Sequence, residues 1–521
     1  MMRLTLPLNC FSFSDAIVHT NTTQEQRIIE INGDYWPYKV GSDIIMRRHS
    51  LLIPSDDVFH RNSYRGGKDY IEQDYLFTHD REKSTDYENR KQRAYFYNYV
   101  RPVIDSYLFF LFKATPIRIG DTATELDVIR FIADPSKGTE DLNDMMRFHT
   151  FTLLLLGRSW LRMDAPPVPP ISKFEEEDRH KLPYIYHYTS EDVLDWAEGE
   201  EGRLRWVKAW SREDAKTNPF YASAANVSIK IWTPNSIVRY DEEGQYIDGV
   251  PNFTGVVPFI LTKLNPELKS FIADISIINR ALFNWCSLLD EILYKQTFSQ
   301  LVVPGDEKQA LSEKRVGIAS AFTFPPDARH APHFISPDVD QGNLVQKQID
   351  VAIMEIYRAA NLEWVDSKRA TNKSGSAKMF DFQNTNKVLG GIASSLEQTE
   401  RNIFWMYDQI RDKDREPAKT QYPRDFSVAA LESELTNIFF ALTRQISPHL
   451  NKLLKKRAAV LLLPRIEEKD RNIIEKEIDE TEELAGLTED DISMRVREMT
   501  DAAMAANIRG SKGRVVRQAV E

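Results

Sequence analysis

At 521 residues the chain is too long for one ordinary compact core, which points to three or four domains or to one elongated multi-part subunit. Apolar residues at 42%, charged residues at 28% and only 21 glycines are the composition of a folded globular chain and exclude a disordered or collagen-like one. The formal net charge of −11 is opposite to the basic balance that grips phosphate, so tight nucleic-acid binding is disfavoured, while a wall past which a duplex slides would carry this sign.

The N-terminal MMRLTLPLNCFSFSD has one Arg and an interrupted apolar stretch with no A-x-A pattern, which predicts cytoplasmic synthesis without a secretory signal. Residues 89–120 predict an apolar-rich helix that stops before Pro116, then a short strand. Residues 142–161 predict a second helix running into a strand at GRSWLRMDAPP. Its densest apolar run, 151–156, is about a third of what a bilayer crossing needs, so no membrane partner is expected. Pro166, Pro167, Pro169 and Pro170 then break any regular element, and 175–179 continue as a charged loop.

Between 182 and 264 short alternating runs (YIYHYTS, LRWVKAW, SIKIWT, SIVRYD, VVPFILT) predict a β-rich region. Residues 269–298 hold no Gly or Pro and predict a helix of roughly 45 Å at 1.5 Å per residue. Its apolar residues run nearly all the way round. Ile272, Ile275, Ile278, Leu282, Trp285 and Leu289 share one stripe, while Phe271, Ile277, Phe283, Leu288 and Ile292 spread onto others. Such a helix is expected to be buried by its own chain on one face and by neighbouring subunits on others, with Ile272, Ile275, Leu282, Trp285 and Leu289 as the subunit-interface residues.

A strand-rich insert follows, and a helix resumes over 344–362. Residues 377–412 predict another helix, interrupted near Gly390 and Gly391. The chain from 448 onward reads as helical, with i,i+4 charge pairs in RIEEKDRNIIEKEIDETEEL and a polar tail. Of the two cysteines, Cys10 and Cys286, the second lies in the apolar run FNWCSLL, where a thiol fills volume; disulfides and cysteine zinc sites are not expected.

Catalytic signatures are missing: there is no GxxxxGK[ST] (KSGSAK lacks the first Gly and the spacing), no G-x-S-x-G, no H-E-x-x-H, no kinase set and no G-x-G-x-x-G. The ten histidines are scattered, so each is read as structural, and no metal or cofactor is expected. Asp290 and Glu291 are adjacent on a helix and point to different faces, which reads as solvated or subunit-facing charge. Asp178 with 175–177 reads as loop solubility. Asp56 and Asp57 supply at most half of a two-metal nuclease site, with nothing near them in sequence to complete it. The segment WVDSKRATNKSGSAKMF carries Lys368, Arg369, Lys373 and Lys378 against Glu363 and Asp366. It is either an exposed polar loop without a special role or, in a ring, a basic loop projected into a central hole against a phosphate backbone.

The order of elements resembles the portal protein family of tailed phages. LLLLGRSWLRMDAPP followed by LPYIYHYTSEDVLDW is similar to the family's helix-to-strand block, and DISIINRALFNWCSLLDEILYKQTFSQLVVPGD to its stem helix and first clip strand. SGSAKMFDFQNTNKVLGGIASSLEQTE resembles the tunnel loop and the long helix after it, and PRDFSVAALESELTNIFFALTRQISPHL the return strand and the start of the crown. The resemblance covers about residues 87–480; the first eighty residues and the final forty match nothing in the family's pattern.

What it implies is an α+β multi-domain portal fold. The wing is 1–267, the first stem helix 268–298, an α/β clip 299–339 and the second stem helix 340–362. A tunnel loop at 363–376, a long helix and wing return at 377–446, and a helical crown with C-terminal tail at 447–521 complete it. The resemblance further implies a non-enzymatic homo-oligomeric ring, usually a dodecamer, at the portal vertex of the virion. Such a ring conducts double-stranded DNA during packaging and ejection, touches it non-specifically through Lys368, Arg369, Lys373 and Lys378, sits in the major capsid protein, and docks the terminase packaging motor and tail adaptor proteins. The competing readings are a metal-dependent nuclease or hydrolase using Asp56, Asp57 and distant carboxylates, and a channel-less head-completion or minor capsid protein.

Overall fold

The computed structural model describes residues 17–19, 28–80, 82–138, 140–166, 182–199, 203–213, 226–296, 300–304, 321–324, 333–335, 339–362, 375–424, 438–444, 447–462 and 473–478. It divides into two units, Met1–Phe426 and Ser427–Glu521.

The first unit begins with a three-stranded antiparallel sheet, β1 (Ile17–His19), β2 (Ile28–Ile31) and β3 (Asp34–Pro37). Four helices follow: α1 (Ser42–Ile45), α2 (Pro54–Arg65), α3 (Gly67–Ile71) and α4 (Ser84–Arg93). The single helix expected from residue 89 is in fact two, because α5 (Val100–Leu111) starts afresh after α4 ends. Pro102 forces the break: inside a continuous helix its ring would collide with the carbonyl four residues back. In α5 that proline lies within the first turn, and the Asn98 side chain accepts from the Arg101 backbone N–H at 2.9 Å.

Strand β4 (Ile117–Ile119), a 3-10 turn, α6 (Leu126–Ala133) and α7 (Leu142–Leu156) come next. Asp141 caps α7 by accepting from the Asp144 N–H at 2.9 Å. Gly157 then ends the helix with φ +74°, and a Cβ there would run into the Leu268 carbonyl oxygen, so the turn into β5 (Arg158–Asp164) takes only glycine.

The runs between 182 and 264 are strands: β6 (Tyr184–Tyr188), β7 (Val193–Glu198), β8 (Leu204–Glu213), β9 (Asn226–Trp232), β10 (Ser236–Tyr240), β11 (Tyr246–Pro251) and β12 (Phe259–Lys263). They divide between an antiparallel meander in the order β11-β10-β9-β8-β7 and a second sheet in the order β12-β5-β6. In that second sheet Ser159 lies opposite Thr262, and Leu161 opposite His187. Period-2 alternation therefore sends Ser159, Leu161, Thr262 and His187 to one face, and Trp160 to the other, where Trp196, Trp232 and Phe259 receive it.

The helix predicted over 269–298 is α8 (Ala273–Gln296). Three short strands, β13 (Gln300–Pro304), β14 (Ala321–Phe324) and β15 (His333–Ile335), form a sheet in the order β14-β13-β15, with β13–β14 parallel and β13–β15 antiparallel. The chain returns in α9 (Val339–Ala359) and enters α10 (Gly375–Ile410), before β16 (Lys419–Gln421) pairs with β4.

The interruption expected at Gly390 and Gly391 does not occur. The Ser394 and Ser395 hydroxyls donate to the carbonyls of those two glycines, and Leu389, Ile392, Ala393 and Leu396 are buried in the core beside them. Packing on that face outweighs the roughly 1 kcal/mol that each glycine costs a helix interior. The main core joins α5, α6, α7, β5, α10 and the start of α8 around Tyr107, Phe131, Leu153, Leu161, Ile275, Phe404 and Tyr407.

In the second unit a helical stretch at 438–443 and α11 (Pro448–Leu462) bury Ile438 and Ala458 among Phe439, Leu442, Leu454 and Leu462. Residues 473–478 are helical as well.

Candidate functional site

The feature that stands out by length and surface chemistry is the helix pair α8–α9 with the small β13–β15 sheet inserted between them. One stripe of α8 is used to close the pair: Leu282, Trp285, Cys286 and Leu289 pack with Val345, Ile349, Ala352 and Ile353 of α9. Gly342, near the start of α9, lies beside Leu289, near the end of α8, so the two helices run antiparallel. Burial pushes the Cys286 thiol up to about 11, which leaves it an inert filler of volume.

The five residues assigned to a subunit interface all face their own chain. Ile272 and Ile275 belong to the main core and Leu282 to the α8–α9 contact, each 1% exposed or less, while Trp285 and Leu289 are half-buried in that same contact. The apolar surface left over lies elsewhere on the pair: Ile277, Leu293 and Tyr294 of α8, and Leu344 and Val351 of α9, are exposed. Of the four basic residues, Lys368, Arg369 and Lys373 lie outside the described residues; Lys378 falls in the first turn of α10, its side chain outside them too.

The acidic pairs are also spoken for. Asp290 accepts from the Arg93 Nε at 3.2 Å, and the Arg93 guanidinium stacks 4.2 Å from the Tyr294 ring centroid. Glu291 meets His79 at 3.4 Å. Both are therefore intrachain partners of α4 and the segment before it, a correction to the solvated or subunit-facing reading. Asp57 is buried and accepts both guanidinium nitrogens of Arg158, at 3.1 and 2.6 Å. With both oxygens engaged by a fixed cation it cannot serve as a metal ligand, and the half-site of a nuclease is lost. The cluster at 175–178 lies outside the described residues.

Sequence reasoning missed Arg90, which is 1% exposed although it sits in the polar run YENRKQR. Its Nε and Nη2 donate to the two Glu82 oxygens at 2.9 and 2.7 Å, Nη2 also to the Phe77 carbonyl at 2.6 Å, and Nη1 to the Ser287 hydroxyl of α8 at 3.2 Å. The Arg90 hydrogen bonds hold the Glu82 carboxyl down at about 2. His79, Glu82 and Glu291 come close enough together to suggest a metal site. The cation of that cluster is already present, because the Arg90 guanidinium lies 2.7 Å from Glu82 and 3.8 Å from Glu291.

A second fully buried charge, Glu400 of α10, accepts from Arg118 (2.8 and 3.0 Å), Thr420 (2.8 Å) and Tyr422 (2.8 Å), tying β4 and the segment around β16 to α10. A cavity of about 380 Å³ lies between the β12–α8 turn and α10, lined by Leu264, Lys269, Phe271, Val388, Gly391 and Ile392 among others. Its hydroxyls are committed to backbone, Ser270 to Leu154 and Ser395 to Gly391, so it offers no activated nucleophile. Ser159 does touch two imidazoles, but it is completely buried in a packed interior. No helix among the described residues is long and apolar enough to cross a membrane.

Fold and surface together define an α+β chain built on a long helix pair interrupted by a small sheet. No family model and no curated protein matches the sequence. Among solved structures it is similar to a chain in the neck of an empty gene transfer agent particle computed with C6 symmetry, at 10% identity, covering 80% of this chain and 98% of that one with a TM-score of 0.41. A chain in the neck of the native gene transfer agent particle, computed with C12 symmetry, is 9% identical, with 83% and 97% covered and a TM-score of 0.38. An HK97 family phage portal protein from Corynebacterium diphtheriae is 10% identical, with 62% and 92% covered and a TM-score of 0.33.

Proposed function

We propose that this chain is a subunit of a phage head–tail connector, a portal ring at one vertex of the virion through which double-stranded DNA is packaged and ejected. The observation that carries the reading is the α8–α9 pair. Two long helices enclose a small sheet, seal one side against each other, and still expose Ile277, Leu293, Tyr294, Leu344 and Val351. Leu293 and Tyr294 near the end of α8 and Leu344 near the start of α9 fall at the same end of the antiparallel pair, and apolar side chains grouped there favour protein contact. A closed ring gives every subunit two neighbours, so both helices can be covered at once by the same heterologous contact.

The net charge of −11 fits a conduit that does not hold its duplex. The basic residues Lys368, Arg369, Lys373 and Lys378 then face the channel, and the β13–β15 sheet, at the end of the pair, is the docking end for the packaging motor and tail adaptors. The capsid protein surrounds the ring. On this reading the subunit makes and breaks no bonds; it works by geometry and weak electrostatics. Negative-stain electron microscopy of the purified protein tests it: annular particles with a central hole are expected, and monomers or closed globules at every concentration would refute it.

A further inference from the structure

Five side chains on five elements form a continuous chain of hydrogen bonds in the interior of the first unit. His187 of β6 meets the Ser159 hydroxyl of β5 at 3.0 Å, and Ser159 meets His149 Nδ1 of α7 at 2.9 Å. His149 Nε2 meets Thr262 of β12 at 2.8 Å, Thr262 meets Thr399 of α10 at 2.6 Å, and Thr399 donates to the Ser395 carbonyl at 2.8 Å. Ser159, His149, Thr262 and Thr399 are buried.

Counting protons gives the chain a direction. The Thr399 hydroxyl proton is used on Ser395, so Thr262 must donate to Thr399, and the Thr262 oxygen must in turn receive a proton from His149 Nε2. His149 Nδ1 is then bare and accepts from Ser159, whose oxygen accepts from His187 Nε2–H. Both imidazoles are neutral Nε2–H tautomers. A proton added to His187 at its free Nδ1 leaves every donor where it was. A proton added to His149 must go on Nδ1, and Ser159 then faces two N–H donors while its own proton has lost its acceptor.

We propose that these five residues form a directional relay that clamps α10 and α7 to the β12-β5-β6 sheet while His149 is neutral, and that protonation of His149 breaks the clamp at Ser159. The surroundings hold both rings neutral. Burial pushes His149 well below the ordinary imidazole value, with the neighbouring His187 adding to the effect, and burial carries His187 down to about 4 against the opposing pull of Glu191. Glu191 is itself paired with Arg61 of α2. The charged residues next to the relay each have their own counter-ion: Arg158 on β5 with Asp57, Lys263 on β12 with Glu198, and Glu400 on α10 with Arg118. Phe148 and Leu161 supply apolar cover.

The folded-state value of His149 lies below the unfolded one, so the clamp's contribution is fully present above about pH 6.5 and weakens as pH falls below it. The experiment is amide hydrogen exchange of peptides spanning residues 389–404 at pH 7 and pH 4.5, corrected for intrinsic rates, in the full-length protein and in His149→Gln. Glutamine keeps a donor near the Nε2 position, toward Thr262, but cannot take the proton. One unit of pKa coupling corresponds to about tenfold in protection, so wild type is expected to lose about tenfold more on acidification than His149→Gln, in which His187 still contributes its own acid response. An equal acid response in the two proteins would overturn the proposal. So would ¹⁵N NMR of histidine-labelled wild type at neutral pH if it found His149 as the Nδ1–H tautomer; that reading does not depend on the variant folding.

Discussion

Replacing Arg90 by Ala removes the guanidinium that is bonded to both Glu82 oxygens and cuts the Ser287 link between α4 and α8. Glu82 has a side chain only 5% exposed, so it is left as a carboxylate without that counter-charge. Breaking a buried pair from one side costs about 3–5 kcal/mol. At about 2.1 cal/mol/K per residue, a cooperative unit the size of Met1–Phe426 unfolds with an entropy of about 0.9 kcal/mol/K, so the melting temperature should fall by about 3–6 °C in differential scanning calorimetry.

The acid limb of that experiment has a defined sign. Glu82 is depressed in the fold to about 2, so its contribution is present above the ordinary carboxylate range and disappears as pH falls toward about 2. Arg90→Ala should flatten that part of the profile. The double variant Glu82→Gln with Arg90→Met, which removes both charges, should recover more than half of the loss at neutral pH. A drop below 1 °C, or an unchanged acid limb, would show that the guanidinium is a bystander.

Gly157→Ala is expected to destabilise the first unit by more than the usual glycine-to-alanine effect, since it adds a Cβ at φ +74° against the Leu268 carbonyl; urea midpoints compared with Gly255→Ala, whose Cβ meets open space at a similar φ, measure the excess. Leu344→Asp with Val351→Asp should leave the melting temperature of the unassembled subunit within about 1 °C, because both side chains are exposed, and should abolish ring formation in micrographs. Alanine at Lys368, Arg369, Lys373 and Lys378 together should leave rings intact while altering DNA retention in packaging assays; loss of the ring would assign those residues a structural role.

Much of the local structure was legible because local rules decide it. The alternating runs between 182 and 264 became strands, the Gly- and Pro-free stretch from 269 became α8, and Asp141 and Gly157 mark the two ends of α7 by cap chemistry that a short window contains. The break between α4 and α5 was legible too, in Pro102, although the apolar pattern around it argued for a continuous helix. Gly390 and Gly391 argued the other way, and there buried neighbours four residues deep on one face overruled the backbone cost.

The site was less legible. The stripe of Ile272, Ile275, Leu282, Trp285 and Leu289 was correctly read as one apolar face, but apolar spacing does not say whose side chains cover it, and this chain's own α5, α7 and α9 do. Arg90 in a run of charged residues, and His149 among apolar ones, carry no local sign of their burial, because each is covered in part by residues remote in sequence: Ser287 is 197 residues away from the first and Thr262 is 113 away from the second. Sequence alone determined element type over most of the described residues, which follows from periodicity, caps and prolines within a few residues. Only the tertiary structure decided which charges and imidazoles are buried and which apolar side chains stay exposed, since desolvation and pairing depend on residues that meet only once the chain has folded.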